Sequence, residues 1–511
     1  MSDTGSAPHR PLAITPDRVA HSARRPYAVV DIGSNSVRLV IYDELGRAPL
    51  PRFNEKSLCR LAEGLEETGA IAEHGFRRTV EAARRFRAIV DAMGVERVDV
   101  LATEATRRAS NGPALVASIL AEANLSVRIL SGTEEARFAA MGVISGFYRP
   151  RGLVGDMGGG SLEIAAIDDD RVEEGSVSLP LGALPTQALM ARHGEGARER
   201  IDALLDERLP AGLTMPVFYP VGGGWRAFAK AHMRTRPTPV EVVHGYTLDW
   251  REVREFARSI YRPSEKGGAK LKGIPSRRAQ TMAAAALVLD RVLKKLKPNK
   301  VVFSALGVRE GWLYDQLSAP ERYLDPLVEG AQNFGTPLAR VPAFAAALEP
   351  WTATLFPGET PMEKRLRMAA CALSDVAWRD SQDLRATEWF VRLIRFPFIG
   401  LDHAERVFVA AAIHARYSGA ADDPVLSPAI GLLSPEARQR ALVLGRAMQL
   451  GYRLSGGVPQ ILEGARLLRQ GSSVTLQVGA HARVPDSEVV FGRLQLLADA
   501  LGCRPLIVEV A

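Results

Sequence analysis

The sequence contains little cysteine and no long apolar run, and both shortages restrict what the protein can be. Its only cysteines, Cys59, Cys371 and Cys503, lie far apart with no CxxC spacing, which argues against a disulfide framework or a cysteine zinc site. Apolar stretches such as 281–289 fall far short of the roughly 18–20 residues that cross a bilayer. The chain also begins without an apolar signal segment. We therefore expect a soluble cytoplasmic protein with no membrane partner.

Common catalytic motifs are missing as well. The chain has no P-loop motif and no GxGxxG, HExxH or GxSxG segment. Walker-type nucleotide hydrolases, Rossmann oxidoreductases, zincins and hydrolases with a serine nucleophile elbow therefore lose most of their support. Nine histidines are present, without a convincing metal-ligand spacing.

Composition indicates a folded chain with a mild positive charge. The 511 residues are 47% hydrophobic and 24% charged, which is the balance of a globular protein of roughly three or four domains. The net charge of +7 favours polyanionic ligands. Nucleic acid, phosphate polymers and acidic lipid all meet that condition.

The chain repeats one arrangement of strand, acidic residue, small-residue turn and strand. A strand at 27–30 runs into DIGSNS at 31–36, and a strand at 153–155 runs into DMGGGSLE at 156–163; a further strand follows each turn. This repeat predicts two related α/β half-domains. We expect a disordered leader at 1–25, a first lobe at 26–150, a second lobe at 151–316, and a mostly helical region at 317–511 with a small sheet near its end. One helix of that last region is predicted over 362–378.

Both turns are candidate phosphate sites. Glycine, serine and asparagine between two strands expose several backbone N–H groups in one concavity, which binds phosphate oxygens. A plain hairpin turn is the alternative for either loop alone, but two such loops at equivalent places favour a phosphate clamp. The candidate residues are Gly33, Ser34, Asn35 and Ser36 in the first loop and Gly158, Gly159, Gly160 and Ser161 in the second.

Carboxylates beside the second loop suggest a metal site. Asp156 and Glu163 flank this loop, and carboxylates next to phosphate-binding amides can hold Mg²⁺ directly or through water. The alternative is that Asp156 caps the turn while Glu163 is solvated.

Two further segments carry groups suited to phosphate chemistry. A Ser-Gly-Thr turn at 131–133 followed by Glu134 and Glu135 is typical of a helix start. The glutamates either cap this helix or, between two phosphate loops, supply a carboxylate that deprotonates water. Arg107 follows a strand at 98–102, from which a guanidinium can reach phosphate oxygens; an ordinary surface arginine is the alternative.

One segment of the predicted second lobe is strongly basic. Eleven lysines and arginines against two acids occur between Tyr261 and Lys300. The stretch either faces a polyanion or forms the solvated face of a helix.

Three motifs together closely resemble those of the exopolyphosphatase / guanosine-pentaphosphate phosphohydrolase family. They are DIGSNS at 31–36, SGTEEAR at 131–137 and DMGGGSLE at 156–163, which occur in the family's order. The resemblance covers about 27–316 and implies an α/β fold of the actin / Hsp70 / sugar-kinase type. Two RNase H-like lobes would surround a cleft, followed by a mostly helical, HD-like C-terminal domain with a small terminal sheet.

The resemblance also implies an activity, namely Mg²⁺-dependent hydrolysis of the terminal phosphate of inorganic polyphosphate with release of orthophosphate. It makes Glu135 the general base, gives Asp156 and Glu163 to the divalent metal, and places Arg107 on the terminal phosphoryl group. The implied partners are polyphosphate, or guanosine penta- and tetraphosphate, and a second copy of the chain. No nucleic acid is expected, and a K⁺ requirement stays open.

Two positions depart from the family's pattern. Residues 222–226 read GGGWR, where relatives often carry a Gly-x-Ser-Gly-Thr turn, so nucleotide handling is open. In the HD-like domain, Ser374 and Asp375 stand where His-Asp is expected. We therefore predict that this domain has no second metal-dependent hydrolase site.

Several functions remain compatible with the sequence. A guanosine pentaphosphate hydrolase would use the same residues as an exopolyphosphatase, although the long C-terminal half favours the polymer. A non-catalytic sensor of polyphosphate or an alarmone would bind in the cleft without turnover. An ATP-dependent kinase or chaperone would need a nucleotide pocket at 222–226.

Overall fold

The computed structural model describes residues 25–210, 213, 215–236, 238–262, 276–479 and 487–510. The leader predicted at 1–25 lies outside the described residues, except for Arg25. The chain divides into two compact units. The N-terminal unit comprises Ala23–Thr238 and Val243–Arg322, and the C-terminal unit comprises Pro239–Val242 and Tyr323–Ala511.

The first sheet of the N-terminal unit consists of β1 (Tyr27–Ile32), β2 (Val37–Tyr42), β3 (Pro51–Ser57), β4 (Arg97–Ala102) and β5 (Val127–Ile129). Its strand order is β3-β2-β1-β4-β5. The central strand β1 pairs antiparallel with β2 and parallel with β4. Valine, isoleucine and tyrosine dominate β1 and β2, and nearly all of their side chains are buried, as in strands that are covered on both faces.

The second sheet repeats this plan. Its strands are β6 (Arg151–Met157), β7 (Leu162–Asp168), β8 (Arg171–Val172), β9 (Val177–Leu179), β10 (Val217–Val221), β11 (Tyr246–Asp249) and β12 (Lys300–Phe303). The order is β8-β7-β6-β10-β12-β11, with β9 beside β7. Each sheet begins with a hairpin whose first strand is central, and parallel strands add to that strand's other side. The duplication confirms the predicted pair of RNase H-like lobes.

The helices of the N-terminal unit are α1 (Leu65–Thr68), α2 (Glu73–Ala92), α3 (Glu104–Arg108), α4 (Gly112–Ala123), α5 (Gly132–Gly146), α6 (Ala183–His193), α7 (Ala197–Arg208), α8 (Gly223–Thr235), α9 (Trp250–Tyr261), α10 (Ser276–Leu296), α11 (Val308–Asp315) and α12 (Ala319–Arg322). Helices α2 and α4 cover one face of the first sheet around Phe86. Helices α8 and α10 cover one face of the second sheet around Trp225.

Helices α5 and α11 pack against each other and join the two sheets. Their apolar core includes Val29 from β1 and Val154 from β6. Because side chains alternate along a strand, Asp31 and Asp156 lie on the same faces as these valines, two residues further on. The two aspartates therefore approach the start of α11 from opposite sheets.

The C-terminal unit is mostly helical. Its helices are α13 (Pro326–Gly335), α14 (Phe344–Ala353), α15 (Pro361–Ala372), α16 (Arg385–Arg395), α17 (His403–Arg416), α18 (Pro435–Ser455), α19 (Pro459–Glu463) and α20 (Ser487–Leu501). They share one apolar core with a small sheet of β13 (Ala465–Gln470), β14 (Ser473–Gly479) and β15 (Arg504–Val510). This architecture confirms the predicted helical region with a small terminal sheet.

The helix predicted over 362–378 is shorter in the structure. Helix α15 ends at Ala372, and a series of turns follows. The Ser374 hydroxyl donates to the carbonyl of Cys371 over 2.7 Å, a local bond that competes with helix continuation. Among the described residues, no helix has the length and apolar character needed to span a bilayer.

Candidate active site

The two predicted phosphate loops have the same hydrogen-bond pattern. In each hairpin tip, the first glycine donates its N–H to the carbonyl of the serine three residues further on. The bond from Gly33 to Ser36 is 3.1 Å long, and that from Gly158 to Ser161 is 3.0 Å long. The sequence repeat thus becomes a repeat of backbone geometry.

The carbonyl groups of both loops are occupied, whereas several N–H groups are not. The carbonyls of Ser34 and Asn35 accept backbone bonds from residues within 60–62, and those of 158–160 accept bonds from 182–184. The N–H groups of residues 34, 35, 159 and 160 donate to no residue that the structure describes. Unpaired N–H groups in one turn attract phosphate oxygens, so phosphate binding by these two loops stays a prediction that their geometry allows.

The loops of the two lobes meet. A Cβ atom at Gly159 would lie 2.6 Å from the Cβ atom of Ser34, which is closer than real Cβ contacts. Only a glycine therefore allows this approach between the second loop and the first. The structure brings the two sets of predicted phosphate-binding residues together at one cleft.

The start of α5 separates the roles of its two glutamates. Ser131 and Glu134 form a capping box, in which each side chain accepts a bond from the other residue's backbone N–H. Glu134 also pairs with Arg128. Glu135 takes no part in the cap, and its residue is only 7% exposed. The capping interpretation therefore applies to Glu134 and leaves Glu135 available for chemistry.

Arg107 lies beside Glu135. Its side chain extends from α3, and its Nη1 atom donates to Glu135 Oε1 over 2.5 Å and to the carbonyl of Leu130. The Arg107 side chain keeps about 30% of its surface exposed. A guanidinium placed in this way holds the carboxylate and still presents N–H groups to a ligand.

Asp156 and Glu163 face each other across the second hairpin. They are directly opposite in the antiparallel register of β6 and β7, so their side chains emerge on the same face. The Ser178 hydroxyl donates to Glu163 Oε1 over 2.9 Å. The structure thus places the two predicted metal ligands side by side.

Three of these carboxyl groups have raised pKa values. Burial raises the pKa of Glu135 to about 7, although Arg107 opposes this shift. Burial also raises the pKa of Asp156 to about 6, which the nearby Arg226 opposes. Burial and the adjacent Glu135 raise the pKa of Glu163 to about 8. The cleft therefore concentrates negative charge that disfavours full ionisation.

This arrangement fits a magnesium ion that is held jointly with a substrate. In the part of the chain that the structure describes, no three His, Cys, Asp or Glu side chains form a metal-binding group. Mg²⁺ commonly uses only one or two carboxylates together with water and substrate phosphates. The Asp156 and Glu163 pair supplies such a set, and the raised pKa values show that an added positive charge would be favourable there.

Charged residues outside the predicted catalytic, phosphate-binding and metal-binding set lie beside the two aspartates, and one of them, Arg226, ends the 222–226 segment. Arg226, Arg309 and Glu310 interact electrostatically with both Asp31 and Asp156. The Arg226 Nη1 atom donates to the carbonyl of Ala305 over 2.6 Å.

Glu104 is a further residue outside the predicted set. Its carboxylate accepts bonds from Ser34 Oγ at 3.3 Å and from Arg108 Nη1 at 2.6 Å. A Cβ atom at Gly160 would lie 2.0 Å from the same carboxylate. Glu104 thereby connects the first loop to the second, and its neighbour Arg107 was the only signal for it.

The described part of the basic stretch is largely ion-paired. Arg291 and Lys294 contact Asp202, and Lys295 contacts Asp206, both on α7. These pairs agree with the helix-face interpretation for residues 291–295. Residues 263–275, where several other basic residues of the stretch occur, lie outside the described residues.

Ser374 and Asp375 occupy a buried turn of the C-terminal unit. Asp375 accepts bonds from the backbone N–H of Arg340 at 3.0 Å and from its guanidinium at 2.8–3.3 Å. The Ser374 hydroxyl lies 3.0 Å from Tyr452 Oη. An arginine therefore holds the carboxylate that an HD site would give to a metal.

Comparison with family models gives two matches along the chain. Residues 25–319 match the Ppx/GppA phosphatase family, and residues 327–508 match the family described as exopolyphosphatase, C-terminal. Exopolyphosphatase 1 of Mycobacterium tuberculosis is 28% identical over 304 residues, which cover 57% of this chain and 88% of the relative. Retrograde regulation protein 2 of Saccharomyces cerevisiae is 27% identical over 440 residues, which cover 78% of this chain and 73% of the relative.

Solved structures give the same fold. A crystal structure of an exopolyphosphatase-like protein is 23% identical and has a TM-score of 0.50, covering 57% of this chain and 97% of its own. The Ppx/GppA family member of Aquifex aeolicus is 25% identical with a TM-score of 0.49, covering 57% and 99% of the two chains. The likeness to the exopolyphosphatase-like protein shows that the two lobes of the N-terminal unit have the fold of that structure, as predicted for the actin-like type.

Proposed function

This chain belongs to the Ppx/GppA phosphatase family, and from that premise we propose that it is an exopolyphosphatase. Its substrate is inorganic polyphosphate, from which it releases the terminal phosphate as orthophosphate. One observation carries the proposal: two loops with unpaired N–H groups meet beside Glu135, Asp156 and Glu163. A phosphate chain between these loops would have its end next to the carboxylates.

The proposed reaction transfers the terminal phosphoryl group to water. The loops and Arg107 bind the terminal phosphates and neutralise part of their charge. A water oxygen forms a bond to the terminal phosphorus while the bridging P–O bond breaks, and the shortened chain leaves with the electron pair. Glu135 takes the proton of the attacking water. Its pKa of about 7 suits a base that works near neutral pH.

Asp156 and Glu163 would hold Mg²⁺, which supplies positive charge to the phosphate oxygens as negative charge develops. Their own raised pKa values imply that the ion also favours the ionised forms of both carboxylates. We propose a homodimer and a cytoplasmic location as well. Light scattering of the purified full chain measures the first of these directly.

Orthophosphate release tests the proposed function. Purified full chain with Mg²⁺ would be given long-chain polyphosphate and, separately, guanosine pentaphosphate. We expect turnover of polyphosphate and a loss of roughly 10²–10⁴-fold in rate for Glu135→Gln, which removes the base. Glu134→Gln is the matched control, because its side chain caps α5 and should leave the rate within a few-fold of the wild type.

The same assay separates the alternatives. Turnover of guanosine pentaphosphate alone would replace the polymer with the nucleotide as substrate, and the same residues would act. One relative, which covers 78% of this chain, is named retrograde regulation protein 2, and this name favours a non-catalytic sensor as the second candidate. Tight binding of polyphosphate without turnover of either substrate would establish that candidate and refute the assigned role of Glu135.

A further inference from the structure

The C-terminal unit contains a cluster of arginines around a single aspartate. This arginine cluster consists of Arg340, Arg385, Arg416, Asp375, Tyr417 and Tyr452. Its members come from the turn after α15, the start of α16, the end of α17, the last turn of α18 and the segment before α14. Arg340 and Arg416 thus share the carboxylate of Asp375, and Arg385 joins the cluster through the ring of Tyr417.

Arg416 is buried, and its guanidinium donates no hydrogen bond to any residue in the described part of the chain. The residue is 7% exposed, its Nε atom is buried with no acceptor, and its nearest carboxylate oxygen, on Asp375, is 3.8 Å away. The guanidinium lies over the rings of Tyr452 and Tyr417 at 3.8 and 4.7 Å. Ring stacking orients the group but accepts none of its five N–H groups. A buried donor without an acceptor is costly and is normally satisfied by a ligand or water.

Arg385 likewise combines a buried Nε atom that lacks an acceptor with a guanidinium beside a tyrosine ring. Its Nε atom is buried with no acceptor, and among the described residues its guanidinium has no carboxylate partner, only the ring of Tyr417 at 4.9 Å. Arg385 is also the first residue of α16, where the helix dipole disfavours a cation. Arg416, at the last position of α17, has the favourable end of a dipole, but this supplies no acceptor for its Nε atom.

The charges of the cluster do not balance. Both oxygens of Asp375 accept bonds from Arg340. Among the described residues, Arg416 therefore has only its 3.8 Å contact with that carboxylate, and Arg385 has no carboxylate partner. The Arg340 side chain is 37% exposed, which connects the cluster to solvent. A tetrahedral dianion offers both the missing charge and several acceptors to guanidinium forks.

We propose that the arginine cluster of the C-terminal unit is a binding site for a phosphate group. The ligand is orthophosphate or the terminal phosphate of an oligophosphate, held by Arg385 and Arg416 and reached past Arg340. This site adds to the proposed function, and it binds phosphate without the hydrolytic residues of the cleft.

Calorimetric titration of the full chain tests the site. The Glu135→Gln background suppresses turnover, and the probes are orthophosphate, tripolyphosphate and, as a non-phosphate oxyanion, sulfate. We expect two classes of sites for at least one phosphate probe. Arg385→Gln and Arg416→Met should each weaken one class by about tenfold or more, because each removes charge-assisted hydrogen bonds. The probe that responds identifies which phosphate source the site prefers.

Arg392→Gln is the matched control. Arg392 lies on the same helix as Arg385 and stacks on Trp389 at 4.5 Å, but it is exposed and outside the cluster. Its substitution should leave both classes of sites unchanged. A melting experiment without phosphate guards against misfolding: Arg416→Met should melt at or above the wild-type temperature, because an apolar side chain replaces a buried unsatisfied donor.

Two outcomes would overturn the proposal. Identical binding curves for Arg385→Gln, Arg416→Met and the parent would show that these arginines only stabilise the unit. Equal and weak binding of sulfate and both phosphates would mean that the cluster takes an adventitious ion only. Neither outcome depends on whether the cleft hydrolyses polyphosphate, so the failure of one proposal is distinguishable from the failure of the other.

Discussion

The cleft of the N-terminal unit and the arginine cluster of the C-terminal unit have opposite excesses of charge. The cleft collects Glu104, Glu135 and Glu163 beside the candidate phosphate loops, whereas the cluster collects Arg340, Arg385 and Arg416 with Asp375 as its one carboxylate. A site that activates water needs a carboxylate base, and arginines in excess would keep that base weak. Backbone N–H groups bind phosphate without this effect. Where no water has to be activated, guanidinium groups alone suffice.

The largest effect is expected where the cleft does use an arginine. Arg107→Met removes the proposed contact to phosphate and the guanidinium that lowers the pKa of Glu135. We expect kcat/KM for polyphosphate to fall roughly 10²–10³-fold, the usual cost of losing one charge-stabilising donor. The pH-rate profile should also shift to higher pH, since the base then ionises less readily.

Arg107→Lys is the control for this prediction. It retains the charge beside Glu135 but not the planar fork, so it should recover the wild-type pH profile and only part of the rate. An unchanged rate in Arg107→Met would mean that the arginine merely holds the start of α5. It would also remove the distinction between the cleft and the cluster in their use of guanidinium groups.

The second prediction concerns pH and the excess of carboxylates. The folded-state pKa values of Asp156, Glu135 and Glu163 are about 6, 7 and 8, above the ordinary values near 4. Groups with raised values stabilise the fold at low pH and lose that contribution as pH rises through the folded value. Without metal, the melting temperature should therefore fall by several degrees between pH 5 and pH 9, and added Mg²⁺ should reduce this fall.

Glu163→Gln tests whether the carboxylates of the cleft cause the fall in melting temperature with rising pH. It removes the group with the highest pKa and relieves the repulsion on Glu135, so its melting temperature should vary less with pH than that of the wild type. The difference between the two proteins is the measured quantity, because burial also raises the pKa of Glu405 in the C-terminal unit to about 7. Glu134→Gln should show the wild-type slope, since its pKa is lowered by its bonds to Ser131.

The cleft could largely be predicted from the sequence because its groups belong to continuous motifs. The loops 31–36 and 156–163 each combine a strand end with small residues, so local propensity and function coincide there. The repeat then predicted two lobes, which the matching strand orders confirm. Roles for Glu135, Asp156 and Glu163 remain predictions, although the structure brings these residues together.

Residues that depend on tertiary packing could not be predicted in this way. Arg309 and Glu310 reach the cleft because α11 returns between the sheets, a path that no local pattern specifies. Asp375 was noted only for lacking its expected histidine. Its arginine partners are Arg340 and Arg416, which lie far apart in sequence. In the sequence alone, these two arginines cannot be distinguished from ordinary surface arginines.

Asp375→Asn tests the positive charge of the arginine cluster in the C-terminal unit. Asparagine preserves the shape and one acceptor but removes the only carboxylate of the arginine cluster. We expect the free energy of unfolding to fall by about 2 kcal/mol, below the roughly 3–5 kcal/mol for deleting one partner of a buried pair. Added orthophosphate should restore part of this stability. Chelators should have no effect on wild-type stability through this unit, whereas a metal-dependent HD site would make the unit sensitive to them.

The smallest effect is expected from the backbone that supports the second loop. Gly182 donates its N–H to the carbonyl of Gly160, and a Cβ atom at Gly182 would lie 2.3 Å from the carbonyl carbon of Gly160 and 2.4 Å from the Ser161 nitrogen. Gly182 has an ordinary φ of −66°, so the constraint is space rather than backbone conformation. Gly182→Ala must push the loop away from this support.

We expect Gly182→Ala to cost about 1–2 kcal/mol of stability, as overpacking does, and to raise KM for polyphosphate more than it lowers kcat. Glu135 and Arg107 stay in place, whereas the N–H groups that bind the chain move. Gly196→Ala is the control in the same lobe, since its nearest neighbour would be 3.9 Å away. If kcat fell and KM held, the loop would position the reacting phosphorus rather than bind the chain. Arg107 would then be the main phosphate-binding group of the cleft, just as arginines are the proposed phosphate-binding groups of the cluster.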